Sequence, residues 1–414
     1  MTPRAGTGSP RPGTVVVALS ANPAASASVP LIGYHLAREL GEITSSVLVA
    51  HARDRGDLEA VLPADRLRFA GSARFSAVLR RVGHRLFPDR WGLIGIVELP
   101  GYLLFDVHAF FLVRRLLRGR RVDYVLRVNP VSLLMPSILG RLPVPVVTGP
   151  HNGGLEWPEG FRHLDAAERT GQRFRFLGEW LHRLYGDYRR YALILVGTDA
   201  CGRAVPRPHR NKVVVVPENG VERVHEIGPH AGDATRLLFV GRLVPVKAVD
   251  LLVRALARLP PEVELTIVGD GPACPALGAL AAELGVAGRC HFPGWCPHDE
   301  LDRMFAEAGV FVFPSVRESG GAAVLEAMSH GLPCLVADWG GPRIYTGTTG
   351  IHLSVDSPDA LVDDIVGSVE ALLADPDRSR DVGRRSQEVV RSGYTWASKA
   401  RTIDRLAREA ARRA

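Results

Sequence analysis

The fold class is indicated by the segment Val312-Phe-Pro-Ser-Val-Arg-Glu318-Ser-Gly-Gly-Ala-Ala-Val-Leu-Glu326. A short apolar run ends at Pro314, a polar loop follows, and two glycines open a stretch with the periodicity of a helix. A strand that leads through a glycine-containing loop into a helix is one βα unit of a parallel sheet. Backbone N–H groups at such a helix start can bind phosphate or sugar oxygens, and the two carboxylates can accept hydrogen bonds from paired hydroxyls.

Apolar runs and amphipathic stretches alternate along the rest of the chain, which predicts an α/β protein with two doubly wound, Rossmann-like domains. The predicted strands are 14–19, 46–50, 124–128, 144–147, 192–196, 236–240, 263–268, 310–313 and 333–337. The predicted helices are 31–40, 75–86, 103–117, 174–191, 250–259, 276–284, 300–306, 322–330 and 360–373.

A turn-rich segment with little apolar periodicity, residues 217–234, is interpreted as the linker between the two domains. The predicted boundaries are 1–225 for the first domain and 226–395 for the second. Residues 396–414 have the pattern of a terminal helix that either is solvated or packs back on the first domain. Because ligands bind at the carboxyl ends of parallel strands, we expect the functional site in a cleft between the two domains.

Composition excludes several classes of protein. The 414 residues are 46% apolar and 23% charged, which is typical of a soluble globular chain rather than a disordered one. The net charge of +7 is too small for this length to indicate nucleic acid as a partner. The five cysteines lack paired CxxC spacing, so we expect buried thiols in a reducing cytoplasm and no zinc site.

Two segments bear on targeting. The first thirteen residues contain no apolar core, so we expect no signal peptide. The most apolar stretch, residues 91–113, is interrupted by Glu98, Pro100 and Asp106, and we therefore expect no membrane span there.

A second group of candidate residues lies in Phe239-Val-Gly241-Arg242-Leu-Val-Pro-Val-Lys247. A strand ends in glycine, and two cations follow before the next predicted helix. An arginine can bind a pyrophosphate through two hydrogen bonds, and a lysine can bind it as a point charge. The alternative is that both cations are solvated on a surface loop, and that Glu318 and Glu326 are ordinary loop and helix acids.

The segment from Glu318 to Glu326 resembles the E-x7-E motif of retaining family 4 glycosyltransferases, which have the GT-B fold. Further motifs follow in the same order as in that family, so the resemblance covers most of residues 236–355. The chain resembles bacterial exopolysaccharide-type members, and the resemblance implies a two-domain GT-B protein. The activity it implies is retaining, metal-independent transfer of a sugar from a nucleotide donor to a hydroxyl. The supporting motifs are the Gly241-Arg242 and Lys247 pair, Val268-Gly-Asp-Gly-Pro272, Phe292-Pro-Gly294, Glu326-Ala-Met-Ser-His-Gly-Leu-Pro333 and Asp338-Trp-Gly-Gly-Pro342.

The resemblance also implies roles for individual residues. Arg242 and Lys247 would stabilise the charge on the departing nucleoside diphosphate, and Glu326 would hold the ribose hydroxyls. Glu318, with nearby backbone N–H groups, would hold the donor sugar and the distal phosphate. No cofactor or metal is expected. The other residues implied to bind the donor are Gly241, Gly320, Gly321, Ala322 and Asn219.

The first half of the chain resembles the family in the glycine-rich loop Thr148–Phe161, in which His151 would position the donor sugar. Two departures from the family pattern concern donor binding. Residues Asn22–Ser28 replace the usual glycine-rich loop after the first strand, and Gly320 lies where an aromatic residue is common.

The acceptor side is represented by residues 66–121, which contain twelve arginines and three acidic residues, a net charge of +9. Aromatic and aliphatic residues, among them Phe75, Leu86 and Trp91, alternate with these arginines. Such a stretch can bind an anionic membrane, which would indicate a lipid-linked saccharide acceptor at the cytoplasmic face in polysaccharide or cell-envelope biosynthesis. The alternative is a solvated basic face, which would favour a soluble natural-product acceptor in the cytoplasm.

Three functions other than sugar transfer are considered: non-catalytic binding, epimerisation of a nucleotide sugar, and dehydrogenation. A non-catalytic saccharide- or membrane-binding protein on the same scaffold would have no reason to retain Arg242, Lys247, Glu318 and Glu326 together. A nucleotide-sugar epimerase would share the fold class and would isomerise the donor without an acceptor. A dehydrogenase is excluded because the first predicted strand is followed by Leu19-Ser-Ala-Asn-Pro23, which lacks GxGxxG.

Overall fold

The structure is a computed structural model that describes residues 13–25, 28–87, 91–133, 135–167 and 187–413. These residues form two units, each with its own parallel sheet. The first unit contains residues 13–153, 187–218 and 399–413 of the described chain, and the second contains 154–167 and 219–398. The segment 154–167 therefore groups with the second unit, although the boundary predicted from sequence places it in the first.

The sheet of the first unit has seven parallel strands in the order β3-β2-β1-β4-β5-β6-β7. Strands β1, β2, β4 and β5 have almost every residue buried, as expected for a parallel sheet covered on both faces. The prediction missed β3 and β7 because they are only four and three residues long and partly exposed at the sheet edges. The strands are β1 (Gly13–Ala18), β2 (Ser45–His51), β3 (Leu67–Ala70), β4 (Tyr124–Asn129), β5 (Val146–His151), β6 (Leu193–Val196) and β7 (Val213–Val215).

Two predicted helices of the first unit, 31–40 and 75–86, are observed with ends within three residues of the prediction, and two short helices, Arg55–Glu59 and Asp199–Ala204, were not predicted. Predicted helix 174–191 falls outside the described residues apart from its end, and the fourth helix starts twelve residues earlier than predicted. The helices are α1 (Ser28–Ile43), α2 (Arg55–Glu59), α3 (Ala73–Leu86), α4 (Trp91–Leu116), α5 (Asp187–Arg190) and α6 (Asp199–Ala204).

Helix α4 continues through Pro100, which the sequence interpretation took as an interruption. The proline is exposed, whereas the Asp106 carboxylate is buried and accepts hydrogen bonds from Ser137 Oγ at 2.5 Å and Ile138 N at 2.8 Å. The acidic residue thus caps the neighbouring 3-10 helix Ile138–Arg141 instead of breaking α4.

Part of α4 also has the length and composition of a membrane span. Among the described residues, Ile94–Leu116 is the one helical stretch long and apolar enough, and a third of its most apolar window is buried inside the protein. A core helix of a globular protein meets the same criteria, so this stretch alone does not indicate a span.

The second unit has a six-stranded parallel sheet in the order β10-β9-β8-β11-β12-β13. Strands β8 and β11 have the predicted bounds, whereas β10 and β13 at the two edges were not predicted. The strands are β8 (Arg236–Val240), β9 (Glu264–Val268), β10 (Cys290–Gly294), β11 (Val310–Phe313), β12 (Cys334–Ala337) and β13 (Ile351–Leu353). The helices are α7 (Val249–Leu256), α8 (Cys274–Glu283), α9 (His298–Glu307), α10 (Ala322–Ser329), α11 (Gly341–Thr346), α12 (Pro358–Ala374) and α13 (Pro376–Val389).

The last helix, α14 (Trp396–Arg413), packs from Lys399 onward on the first unit. Asp404 accepts a hydrogen bond from the Tyr124 hydroxyl at 2.9 Å, and Arg408 forms an ion pair with Asp123 at 2.5 Å. The buried Lys399 ammonium donates to the carbonyl of Pro217, and burial lowers the pKa of Lys399 to about 7. These contacts attach α14 to the first unit through polar groups as well as through its apolar face.

The cysteines match the expectation of free thiols, but Cys274 and Cys296 are only partly buried. All five are free thiols, and Cys201, Cys290 and Cys334 are buried. Burial raises the pKa of Cys201 to about 12, which keeps this thiol protonated and unreactive at neutral pH.

Candidate functional site

The candidate site of the second unit lies where its strand order reverses, between β8 and β11. These adjacent strands are far apart in sequence, and both run in the same direction, so the loops that follow them meet at one edge of the sheet. Such a switch point is where open α/β sheets bind ligands. The loop after β8 carries Gly241, Arg242 and Lys247, and the loop after β11 carries Glu318 and leads into α10.

Lys247 and Glu318 form an ion pair between Lys247 Nζ and Glu318 Oε2. Their side chains are only 14% and 20% exposed, so the pair is partly shielded from solvent. The ammonium also lies 4.9 Å from the ring centre of Phe313, and the other carboxylate oxygen accepts a hydrogen bond from the Gly320 N–H at 3.3 Å. Two residues that the sequence places in separate motifs are therefore parts of one cluster.

The loops after β8 and β11 are held together by the backbone of Val246. Its carbonyl accepts hydrogen bonds from Val316 N at 3.1 Å and Ser315 Oγ at 3.4 Å. Ala248 follows Lys247 with φ of 50°, and within the described residues it is the one non-glycine residue in the left-handed region. This conformation costs on the order of 1 kcal/mol, and it turns the chain sharply from the 3-10 helix Pro245–Lys247 into α7.

The start of α10 is shaped by glycines. Gly321 has φ of 75°, and a Cβ atom there would lie 3.0 Å from Pro342 Cγ and 3.3 Å from Glu318 Cγ. A Cβ atom on Gly340 would lie 2.2 Å from the Glu318 carbonyl oxygen, and Gly341 N donates to that oxygen at 2.8 Å. The glycines therefore let two loops approach closely, next to a helix N-terminus that can bind an anion through its first N–H groups.

Glu326 lies in the second turn of α10, and its side chain is half-buried. Burial raises the pKa of the Glu326 carboxyl; His298 on α9 opposes this shift and Asp302 on α9 adds to it. Hydroxyl donors stabilise a partly desolvated carboxylate, because their hydrogen bonds replace those to the water that it has lost.

The other residues predicted to bind the donor do not take part in the Lys247–Glu318 ion pair. The Arg242 side chain is exposed, in contrast to Lys247, and Asn219 is buried. The backbone at Gly241 is approached closely by the end of β9, since a Cβ atom on Gly269 would lie 2.0 Å from the Gly241 carbonyl oxygen. The structure thus brings together Lys247, Glu318, Gly320, Gly321 and Ala322, whereas Arg242 faces solvent.

His151 belongs to the first unit, at the end of β5, and its side chain is buried. Its Nδ1 atom lies 3.3 Å from the carbonyl oxygen of Val131, which can only accept, so Nδ1 carries the proton. Its Nε2 atom accepts from the Thr148 hydroxyl at 2.8 Å, and that hydroxyl accepts from Arg127 Nη1 at 3.1 Å. This network fixes the ring, which suits a positioning role better than that of a base. The predicted role beside the donor sugar stays a prediction.

Sequence reasoning missed the residues that attach segment 154–167 to the second unit. Arg317 Nε donates to the Leu155 carbonyl at 3.0 Å, and its guanidinium lies 5.0 Å from the ring centre of Trp157. Trp339 Nε1 donates to the Glu156 carbonyl at 2.9 Å. No pattern in the sequence indicates these hydrogen bonds, because their acceptors are backbone carbonyls.

A second polar cluster, consisting of His225, Asp302 and His330, has ligand atoms within 4.8 Å of one another. The two imidazole rings stack with centroids 3.9 Å apart and planes 18° from parallel. Imidazole lone pairs lie in the ring plane, so stacked rings do not direct them at a common ion. Arg223 also donates to the Asp302 carboxylate at 3.2 Å. The cluster is therefore poorly arranged for a metal, and the expected absence of a metal in the reaction remains a prediction.

Comparison with known proteins identifies similar sequences and folds. Residues 221–389 match the family model of glycosyl transferases group 1. The chain is 36% identical over 191 residues to a D-inositol 3-phosphate glycosyltransferase of Nocardia farcinica, covering 42% of this chain and 40% of that protein. It is 34% identical over 187 residues to a GDP-mannose-dependent alpha-(1-6)-phosphatidylinositol monomannoside mannosyltransferase of Mycolicibacterium smegmatis, covering 42% and 48%. The chain thus matches less than half the length of these relatives.

The fold is similar to that of Anabaena Alr3699/HepE, solved in complex with UDP and glucose. The TM-score is 0.63 at 15% identity, over 95% of this chain and 99% of the other. The fold class predicted from sequence, two parallel α/β units of the GT-B type, is confirmed by this similarity.

Proposed function

We propose, from the match of residues 221–389 to the group 1 glycosyl transferases, that the protein transfers a sugar from a nucleoside-diphosphate sugar to a hydroxyl group of an acceptor. The observation that carries the proposal is the Lys247–Glu318 pair beside the start of α10, at the switch point of the second sheet. A half-buried ammonium and a helix N-terminus together form a binding site for a diphosphate.

Lys247 acts on the leaving group in this proposal. When the sugar–phosphate bond breaks, negative charge develops on the nucleoside diphosphate, and a preorganised cation stabilises that charge in the transition state. Glu318 holds the ammonium in place before the donor binds, and it then accepts hydrogen bonds from hydroxyls of the donor sugar. Arg242 at the exposed side of the loop binds the same diphosphate, so the two cations supply charge that would otherwise require a metal ion.

The reaction retains the configuration at the anomeric carbon. The bond from this carbon to the phosphate oxygen breaks, a bond to the acceptor oxygen forms on the same face, and the acceptor proton passes to the departing phosphate. No side-chain base is required, which is consistent with the hydrogen-bonded ring of His151.

A thermal-shift panel with UDP, GDP, ADP, dTDP and CMP tests the proposed donor site. A ligand that binds only the native state raises the melting temperature, by an amount that increases with its concentration above Kd. We expect one nucleoside diphosphate to raise the melting temperature clearly, and the same ligand to have a much smaller effect on a Lys247→Ala, Arg242→Ala double variant. The same small shift with every nucleotide would contradict the proposal.

The acceptor is proposed to be a lipid-linked saccharide at the cytoplasmic face of a membrane, and the carrying observation is the surface of α3. The helices α3 and α4 pack closely because Gly83 faces Ile94 and Gly101 faces Leu79, with Cβ positions 3.2 Å from each neighbour. Outside this contact, four apolar side chains of α3 are 40–61% exposed: Phe75, Val78, Val82 and Leu86. Arginines flank this α3 stripe, and the mannosyltransferase relative is named for a phospholipid-linked acceptor.

Membrane binding is measured by co-sedimentation with phosphatidylglycerol-containing vesicles at low salt. We expect a Phe75→Ser, Leu86→Ser double variant to lower the vesicle partition coefficient by about tenfold or more, because each apolar side chain gains on the order of 1 kcal/mol on entering the interface. Val61→Ser, which removes an apolar side chain of similar exposure outside the stripe, serves as the control. Sedimentation that is equal with neutral and anionic vesicles, or unaffected by the double variant, would exclude the α3 stripe as the contact.

A further inference from the structure

The first unit contains a cavity of about 330 Å³ next to α3 that the proposed function does not use. It is lined by Arg53, Ser76, Arg80, Arg81 and His84, together with two alanines. Arg53 lies in the 3-10 helix Ala52–Asp54, which follows the carboxyl end of β2. The cavity is therefore at the edge of the first sheet where parallel α/β sheets bind ligands.

The arginines of this cavity are fixed by contacts that leave part of each guanidinium available. Arg53 Nη2 donates to the Leu19 carbonyl at 3.2 Å, and Arg80 Nε donates to Glu98 at 3.0 Å. Since a guanidinium has five N–H donors, each arginine retains donors beyond these bonds. Arg81 is exposed at the cavity and adds a third positive charge. Asp54 lies 3.7 Å from Arg53 and Glu98 lies 3.0 Å from Arg80, so carboxylates offset two of the three positive charges and the remaining positive charge attracts an anion.

Ser76 offers a further donor. The Nδ1 atom of the buried His51 accepts from Arg53 N at 3.1 Å, so the proton of the neutral ring lies on Nε2, 3.0 Å from Ser76 Oγ. Burial and the charges of Arg53 and Arg80 lower the pKa of His51 to about 4, which keeps the ring neutral. Because the imidazole donates to the Ser76 oxygen, the Ser76 hydroxyl hydrogen is left to donate to a ligand.

We propose that this cavity binds a phosphate or diphosphate group of the acceptor, through Arg53, Arg80, Arg81 and the Ser76 hydroxyl. The proposal rests on the proposed function, because it assigns the acceptor of that reaction to phosphorylated compounds. The volume is sufficient for a diphosphate, and phosphate oxygens match the donors that line the cavity.

The α3 stripe does not line this cavity. At about 100° of rotation per residue, Val78, Val82 and Leu86 lie on the side of α3 opposite Ala77, Arg80 and His84. The cavity therefore contacts the phosphate or diphosphate alone, and this group can belong to a lipid-linked or to a water-soluble compound.

Titration calorimetry with inorganic pyrophosphate tests the cavity on the full chain. Pyrophosphate can also bind at the proposed donor site, so four proteins are compared: wild type, Arg81→Ala, Arg242→Ala and Arg85→Ala. Arg85 is an exposed arginine of the same helix that does not line the cavity. We expect two binding events in the wild type and in Arg85→Ala, with Arg81→Ala weakening one by about tenfold and Arg242→Ala weakening the other.

These outcomes separate the cavity from the donor site. If Arg81→Ala behaves as Arg85→Ala does, pyrophosphate does not use the cavity and the inference is wrong, whatever the nucleotide panel shows. If no nucleotide raises the melting temperature but Arg81→Ala still removes a binding event, the proposed function is wrong while the anion site stands. Arg53 lies outside α3. If Arg53→Gln causes the same loss of pyrophosphate binding as Arg81→Ala, local unfolding of α3 is excluded as the cause.

Farnesyl diphosphate, a short lipid diphosphate, distinguishes the two sources of the anion. We expect it to bind the cavity with an affinity within about threefold of that of pyrophosphate, and Arg81→Ala to weaken both by about tenfold, because the cavity contacts only the diphosphate. Failure of farnesyl diphosphate to bind the cavity would restrict the site to water-soluble phosphorylated compounds, and farnesyl diphosphate binding that Arg81→Ala does not weaken would contradict the inference.

Discussion

Lys247→Ala is expected to lower kcat by about 100- to 1,000-fold, with a change in donor KM of no more than about threefold. The ammonium is already held by Glu318 and by the ring of Phe313 before the donor binds, so its interaction with the diphosphate strengthens as the leaving group gains charge. An interaction that is stronger in the transition state than in the ground state contributes to turnover rather than to affinity. Steady-state kinetics with the donor identified by the nucleotide panel measures both parameters.

Two further variants make this result specific. Lys212→Ala removes another of the three lysines, one that donates to the carbonyls of Arg189 and Tyr191 in the first unit, and we expect it to leave turnover unchanged. Lys247→Arg keeps the charge and should recover part of the rate, although its planar head fits the Glu318 contact differently. Wild-type turnover in Lys247→Ala would show that this lysine has no role in leaving-group departure.

Glu326→Ala is expected to weaken binding of the nucleoside diphosphate by about 10- to 100-fold. A carboxylate that accepts hydrogen bonds from both ribose hydroxyls contributes about 1.5–3 kcal/mol per charged hydrogen bond, part of which is lost to water. The effect should appear as Kd in calorimetry, and kcat at saturating donor should change less than in Lys247→Ala. Glu326→Gln keeps one acceptor oxygen and should give an intermediate affinity.

The pKa of Glu326 adds a pH signature to this prediction. Because burial raises the pKa, the carboxylate takes up a proton at a higher pH than an ordinary glutamate does. Nucleotide affinity that depends on the carboxylate should therefore decrease as the pH falls toward this raised pKa, and Glu326→Ala should lack that decrease. The control Glu307→Ala removes an exposed carboxylate of α9 and should leave both affinity and its pH dependence unchanged. An unchanged Kd in Glu326→Ala would contradict the ribose assignment.

The sequence by itself was sufficient for the elements and motifs whose determinants are local. Strands β8 and β11 were predicted with their observed bounds because each is a buried apolar run closed by a glycine or proline. The glycines at the start of α10 were recognisable because they stand between the apolar run of β11 and a helical pattern. Short edge strands such as β3 and β13 were not, because three or four partly buried residues carry too little periodicity.

Only the tertiary structure decided which distant residues meet. Lys247 and Glu318 are 71 positions apart, and they pair because β8 and β11 are neighbours at the strand-order reversal, which no local pattern specifies. Arg53 and Arg80 line one cavity because α3 packs against the 3-10 helix that follows β2. Segment 154–167 groups with the second unit through hydrogen bonds to its backbone carbonyls, which carry no signal in the amino-acid sequence. Local chemistry thus defined the motifs, and long-range strand pairing and side-chain-to-backbone contacts defined the site.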